Sequence, residues 1–395
     1  MSGRGARPIK ILQVAARYLP DLGGTEVHVH EVSRRLGQRD DFSLTVLATD
    51  RTGRRSRHEA ADGFTVLRRR AWPENSDVYF APGVASVIRN GGWDLVHFQG
   101  IHTAVPAVGM LAAYASGLPY VVTFHTGGHS SAVRTSIRSS QWKALTPLLR
   151  GARRLVAVSN FEADLFQSLT KIEAERFTVI SNGGGLPSVS RCVVPTPGRI
   201  ISSGRLERYK GHHRVIEALA LARRRMPDAH LRILGAGPWE RELRDLAAEL
   251  GVAEAVTIVS IPPDQREAMA AELTSAMVVA AMSDYEAHPV GVMEALALGV
   301  PVVGVNKAGI GDLVADGLVV GLPPQARPEE VANAILAAMD SRGKGASVAL
   351  PTWDTCAEAL AELYGAVVGE GPTGRGAEAS RGTIWPPRVL SRRAR

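Results

Sequence analysis

The feature that most constrains this chain is an alternation. Short β-branched runs recur between helical stretches along nearly its whole length. The first half holds IKILQVAA, SLTVLAT, FTVLRR, LVHFQ, YVVTFH, RLVAVS and FTVIS. The second half holds RIISSG, HLRILGAG, AVTIVS, AMVVAAM, VPVVGV and LVVGL. Short apolar strands separated by helix-length segments imply parallel α/β units. The chain has 395 residues, 45% of them hydrophobic, which is more than one ordinary domain needs. The stretch GGGLPSVSRCVVPTPG, residues 183–198, is rich in Gly, Pro and Ser and reads as a linker. We therefore expect two doubly wound domains, 1–190 and 191–352, followed by a helix near 353–368. Residues 369–395 are rich in Gly, Pro and Arg and are expected to be a disordered tail. In such sheets ligands bind beyond the carboxyl ends of the strands, so the cleft between two facing sheets is the expected site.

Composition narrows the classes. The net charge of +7 gathers partly at the ends, in MSGRGARPIK and RGTIWPPRVLSRRAR, and says little about the folded body. Aromatic residues make up only 5%, with no basic–aromatic stripe, so a nucleic-acid binder is not expected. The two cysteines, Cys192 and Cys356, match no metal or redox spacing and read as thiols of a reducing cytoplasm. No apolar run approaches the roughly 20 residues that span a bilayer. The N-terminus lacks a signal-cleavage pattern. The expected location is cytoplasmic.

Several strand ends carry candidate chemistry. In YLPDLGGTEVHVHEVSRRL, Gly23 and Gly24 turn the chain into a helix expected to start at Thr25 or Glu26. Paired glycines let backbone N–H groups approach a phosphate or a sugar, although many α/β turns carry them for other reasons. In ISSGRLERYKGHH, Arg205 and Lys210 follow a strand and precede a helix. A helix start is already electropositive, so two more cations there imply an anion, and a planar fork with a point charge suits a diphosphate. In LGAGPWERE, Gly235 and Gly237 suggest a dinucleotide fingerprint, but Glu240 stands at its third glycine and no acid ends the next strand. A turn that admits a base or ribose is the expectation. His125 ends the strand YVVTFH and would face the cleft. Metal ligation with His129 is disfavoured by the glycines between them, and the histidines of HVH and GHH read as packing or surface residues. In SDYEAHPVGVMEALALGVPVV, Glu286 precedes a helix and Glu294 lies one turn inside it.

Taken in order, GGTE, SSGRLERYKG, LGAGP and SDYEAHPVGVMEALALGVPVV resemble the retaining glycosyltransferases of GT-B architecture, family 4-like (glycosyl transferases group 1). ISNGG near residue 182 and the closing W…Y helix are similar too, and the likeness spans residues 9–367. It implies two facing Rossmann-like domains with an interdomain cleft, and a last helix packing back on the first. It implies that Gly23 and Gly24 form the loop beside donor phosphates and acceptor. Arg205 and Lys210 would hold the diphosphate leaving group, Glu294 the ribose hydroxyls, and Glu286 the transferred sugar. Backbone N–H groups from His288 through Val290 to Gly291 would help hold sugar or phosphate, and His125 would line the sugar side. His125, Glu286, Arg205 and Lys210 are thus the expected catalytic set. No cofactor or metal is expected, because the cations take its place. Two positions depart from the pattern: His288 replaces an aromatic or Leu, and Ser260 replaces a Gly.

The expected activity is transfer of a hexosyl or N-acetylhexosaminyl group from a nucleotide diphosphate sugar to a hydroxyl. A UDP-sugar is favoured by family frequency. The segment RRSRHEAADGFTVLRRR supplies charge but no evident hydrophobic face, so peripheral membrane contact is not favoured and the expected partner is a small soluble acceptor, an aminocyclitol or other antibiotic precursor. The alternative is a GDP-mannose-type transferase acting on a lipid or polysaccharide. An NAD-linked oxidoreductase is more distant, lacking the third glycine and the ribose acid, and a sugar sensor without catalysis would not need Glu286, Arg205, Lys210 and Glu294 together.

Overall fold

The computed structural model describes residues 7–21, 23–74, 79–126, 140–186, 193–262, 265–343 and 350–370. The expected divider at 190, the thiol of Cys192, the histidine His129 and the tail beyond 370 lie outside them. The described residues form two compact units. The first comprises those up to Thr126, those from 140 to Asn182, and those from Trp353 on; the second runs from Gly183 to Thr352.

The strands of the first unit are β1 Ile9–Ala15, β2 Phe42–Asp50, β3 His58–Ala61, β4 Phe64–Arg70, β5 Leu95–Gln99, β6 Tyr120–Thr123, β7 Arg154–Ala157 and β8 Phe177–Val179. They form one sheet in the order β3-β4-β2-β1-β5-β6-β7-β8. Helices α1 Gly24–Gly37, α2 Gly83–Asn90, α3 Ala104–Ala115, α4 Thr146–Gly151, α5 Asn160–Thr170 and α12 Trp353–Gly369 accompany it. Every residue of β5 is buried, as a parallel strand covered on both faces requires. Helix α12 lies on α1, where Arg35 pairs with Asp354 at 2.5 Å and Arg39 with Glu358 at 2.7 Å.

One strand departs from the sequence reading. β3, with the sequence HEAA, pairs antiparallel with β4 at the sheet edge. It has no β-branched residue and is mostly exposed, so no apolar run marks it. The signal it does leave is Asp62-Gly63, the two-residue turn that closes a hairpin, with Gly63 at φ +83°.

The second unit has strands β9 Arg199–Ser203, β10 His230–Leu234, β11 Val256–Val259, β12 Val278–Ala281, β13 Val302–Val305 and β14 Val320–Leu322. All pair in parallel, in the order β11-β10-β9-β12-β13-β14. Helices α6 His212–Ala222, α7 Glu240–Glu249, α8 Arg266–Thr274, α9 Val290–Ala297, α10 Ala308–Ala315 and α11 Pro328–Asp340 cover it. The order jumps from β9 to β12 at the centre. Chain segments far apart in sequence therefore leave the sheet side by side, at the switch point where doubly wound folds bind ligands.

Candidate functional site

The second unit brings Lys210 and Glu286 together. β9 ends at Ser203, and the chain descends through Gly204, Arg205 and a 3₁₀ turn at Arg208–Lys210. Gly211 then caps α6 at φ +74°. A Cβ there would stand 2.0 Å from the Met282 carbonyl oxygen, so only glycine lets this loop lie against the end of β12. Asp284 N–H donates to the Tyr209 carbonyl at 2.7 Å and closes the same seam. Across it, Lys210 Nζ donates to Glu286 Oε1 at 2.5 Å, and Ser283 Oγ donates to the same oxygen at 3.0 Å. Burial works against the Lys210 charge, but Glu286 outweighs it, and the ammonium titrates above the ordinary lysine range. Lys210 therefore stays a fixed cation.

The turn that carries Glu286 is held from below. Ala308 takes φ +52°, a left-handed conformation costly for a side chain bearing a Cβ, and Gly309 N–H donates to the Glu286 carbonyl at 2.7 Å. A Cβ on Gly309 would lie 2.0 Å from the Ala287 carbonyl oxygen. His288 is half-buried in the turn, and Val290 opens α9, whose first turn no side chain caps. A Cβ on Gly291 would meet the Ser203 side chain at 3.6 Å and beyond, an ordinary contact, so the chain itself does not require glycine there.

Glu294 lies inside α9 and is buried. Arg266 of α8 donates to its Oε1, and desolvation still holds the carboxyl above its usual range. Arg266 gave no sequence signal; it is one arginine of an ordinary helix. Arg205 extends into solvent, with its side chain 68% exposed, and pairs with Glu207 at 2.9 Å. The glycines of LGAGP have a cause within the chain itself. A Cβ at Gly235 would lie 1.9 Å from the Gly204 carbonyl oxygen, and one at Gly237 would lie 2.6 Å from that of Leu206. They let two loops of the chain interlock, which already accounts for them without a base or ribose.

The first unit positions Gly23, Gly24 and His125. Helix α1 begins at Gly24 with Gly23 as its N-cap, one residue before the expected start. A Cβ on Gly24 would meet nothing within 4 Å, so packing does not require glycine here either. Glu26, in the first turn, is buried and pairs with Arg17 at 3.0 Å.

His125 follows β6 at φ +48°, a strained backbone for histidine, and is buried. Its Nε2 lies 2.8 Å from Gln99 Oε1, an acceptor, which places the ring proton on Nε2. Gln99 is itself fixed by donating to Gln13 Oε1 at 2.9 Å. His102 Nε2–H donates to the His125 carbonyl at 2.5 Å. The His28 ring stands 4.5 Å from that of His125 and bonds Asn182 Oδ1 through Nδ1 at 2.8 Å. His97 bonds Tyr364 Oη at 2.5 Å and Thr123 Oγ1 at 2.7 Å. The packing role expected of the HVH histidines thus holds for His28, and His212 of GHH is likewise buried on Ser202 at 2.8 Å.

Burial depresses three of these rings: His28 to about 4, His97 to about 3, and His125 well below 6.5. The unfolded chain takes up these protons near pH 6.5 and the folded one does not. Stability from this source is therefore full above about pH 7 and falls as pH drops. His28 and His97 should each withdraw about 2 kcal/mol between pH 7 and pH 5. Thermal melts of the whole chain at the two pH values test this; an unchanged melting profile would contradict the neutral rings.

The first unit also shows a face that the sequence reading missed. Trp72, just after the basic run FTVLRRR, and Phe80, which pairs with it in an isolated bridge, are both exposed. The preference for a soluble acceptor rested on the lack of such a face.

Comparison with known proteins gives two family matches. Residues 22–183 match Glycosyltransferase Family 4, and residues 193–349 match Glycosyl transferases group 1. A GDP-mannose:cellobiosyl-diphosphopolyprenol alpha-mannosyltransferase of Komagataeibacter xylinus is 28% identical over 93% of this chain and 95% of its own. A D-inositol 3-phosphate glycosyltransferase of Mycobacteroides abscessus is 28% identical over 89% of this chain and 86% of its own. Among solved structures, sucrose-phosphate synthase from Thermosynechococcus elongatus aligns with a TM-score of 0.74 at 18% identity, covering 91% of this chain and 99% of that one. That likeness shows the fold. No helix among the described residues is long and apolar enough to cross a membrane.

Proposed function

We propose a donor, an acceptor and residue roles for a chain that belongs to the group 1, family 4-like glycosyltransferases of GT-B fold. It is a transferase that moves a sugar from a nucleotide sugar to an acceptor. Our reading is retaining transfer. The anomeric C–O bond breaks, and its electrons go to the diphosphate. The acceptor oxygen attacks from the same face, and its proton passes to the departing phosphate oxygen. Lys210 and Arg205 stabilise the growing phosphate charge, and the uncapped start of α9 at Val290 and Gly291 adds backbone donors. Glu286 binds the sugar hydroxyls, Glu294 the ribose, and His288 stands beside the sugar. In the first unit we assign Gly23 and Gly24 to the donor phosphates and acceptor, with open space beside Gly24, and His125 offers a fixed neutral ring. The observation that carries this reading is the Lys210–Glu286 pair at 2.5 Å, a cation and an acid side by side at the switch point of a parallel sheet.

For the substrates, the pair named for the Komagataeibacter relative, GDP-mannose with a diphosphopolyprenol-linked acceptor, supports the first reading. The second reading is a UDP-hexose or UDP-N-acetylhexosamine with a small cyclitol-like acceptor, aminocyclitols included. The inositol phosphate named for the Mycobacteroides relative supports it. Hydrolysis of UDP-, GDP-, ADP- and TDP-sugars by the purified chain separates them. We expect slow hydrolysis of one nucleotide class, with GDP-mannose first, followed by trapping of the acceptor with that donor. Hydrolysis of none, with no donor protecting the second unit against unfolding, would remove the assignment.

A further inference from the structure

The first unit holds a buried carboxylate that the transfer scheme does not use. Glu162 lies in the first turn of α5 and is fully buried. With Ser159 it makes the S-x-x-E pattern of a capping box, and half of that box is present: the Glu162 N–H donates to Ser159 Oγ at 3.2 Å. In a box the carboxylate would then turn back to the N–H of the N-cap residue. Here Oε2 reaches one residue further and accepts from the Val158 N–H at 2.9 Å. Oε1 accepts from the Thr126 N–H and from Thr126 Oγ1, both at 2.7 Å. Val158 follows β7, and Thr126 lies just beyond β6. The two strands pair in parallel, and Phe124 N–H still donates to the Val156 carbonyl at 3.2 Å. Past that point the ladder supplies no partner for the next buried N–H groups, and one carboxylate takes both.

His125 stands between Phe124 and Thr126. Its carbonyl accepts from His102 Nε2, and the N–H that follows, that of Thr126, donates to Glu162. Both polar ends of the peptide joining His125 to Thr126 are therefore tied. A histidine at φ +48° persists only where its surroundings over-determine it, and these bonds do so. Capping α5 alone would not require a bond to a residue 36 positions away.

We propose that Glu162 is a positioning residue for sugar transfer, fixing the left-handed backbone at His125 and with it the direction in which the imidazole is presented. The proposal rests on the reading that gives His125 a place in the reaction. Glu162→Gln keeps the shape but has one oxygen instead of two, so its amide N–H₂ must face one of the backbone N–H groups. In the full chain we expect hydrogen exchange over residues 120–126 to quicken at least about tenfold, with exchange in the second unit unchanged. The kcat should fall about thirtyfold while the donor KM stays within about twofold. His125→Ala should lower kcat about fiftyfold. On that background Glu162→Gln should change kcat by less than about twofold, because a residue that acts through the imidazole has nothing left to place. A purely structural role would instead take the same further share of the rate with or without the imidazole. Should Glu162→Gln not fold, Thr126→Val, which removes only the hydroxyl donor, carries the same cycle with an expected fall of about threefold. If His125→Ala keeps the parent kcat, the reading of His125 fails and the proposal goes with it. If His125→Ala is impaired but Glu162→Gln leaves exchange at 120–126 unchanged, or costs the same factor on both backgrounds, the proposal alone is overturned.

Discussion

Lys210→Ala is expected to lower kcat for sugar transfer about a thousandfold while leaving the protein folded. The charge on the leaving diphosphate grows only as the glycosidic bond breaks. A cation already in place gains most at that moment, so its loss should appear in kcat more than in KM. The structure gives Lys210 the properties this needs. Its side chain is only 15% exposed, and Glu286 beside it outweighs the burial and raises the ammonium above the ordinary lysine range. The structural cost of removing it is bounded. Glu286 is left with the Ser283 hydroxyl and some water, a penalty of about 2 kcal/mol, which lowers a melting temperature by a few degrees and does not abolish folding. Lys210→Arg keeps the charge but replaces a compact ammonium with a planar fork, and should recover part of the rate. Steady-state kinetics with the donor found by the hydrolysis screen, beside thermal melts, decide the matter. A folded Lys210→Ala protein within tenfold of the parent kcat would remove Lys210 from the reaction.

The candidate site was legible in the sequence as residue types at strand ends, and less so as contacts. Lys210 and Glu286 stand 76 positions apart. Each could be read as sitting just past a strand, but only the strand order, with β9 against β12, makes them neighbours. Arg266 could not be read at all, because its meaning comes from a bond to Glu294 across two helices. The glycines divide along the same line. Gly211, Gly235 and Gly237 avoid clashes within the chain, whereas Gly24 and Gly291 avoid none, a distinction that spacing alone does not carry. The parallel strands were plain because burial on both faces writes them as continuous apolar runs. β3 and the exposed rings of Trp72 and Phe80 were not, since edge strands and exposed rings take their place from pairing register rather than from hydrophobicity.

Glu286→Gln tests the other half of the pair and should split binding from turnover. In the parent, Glu286 Oε1 holds Lys210 at 2.5 Å, and our reading gives the other oxygen to the sugar. Glutamine keeps the shape and can still accept from Ser283, but it no longer neutralises Lys210. The freed ammonium should then attract a nucleoside diphosphate at least as strongly as in the parent. Transfer should nevertheless fall about a hundredfold, because a neutral amide offers the sugar hydroxyls a weaker acceptor than a carboxylate does. Glu286→Ala should fall further. The double variant Lys210→Ala, Glu286→Ala should be little worse than Lys210→Ala alone, since residues that act as a unit do not lose their effects additively. Calorimetric titration with GDP and UDP beside the transfer assay reads both quantities. If diphosphate binding and thermal stability collapse together in Glu286→Gln, the carboxylate only props up the loop. If binding holds and turnover drops, Glu286 belongs to the sugar.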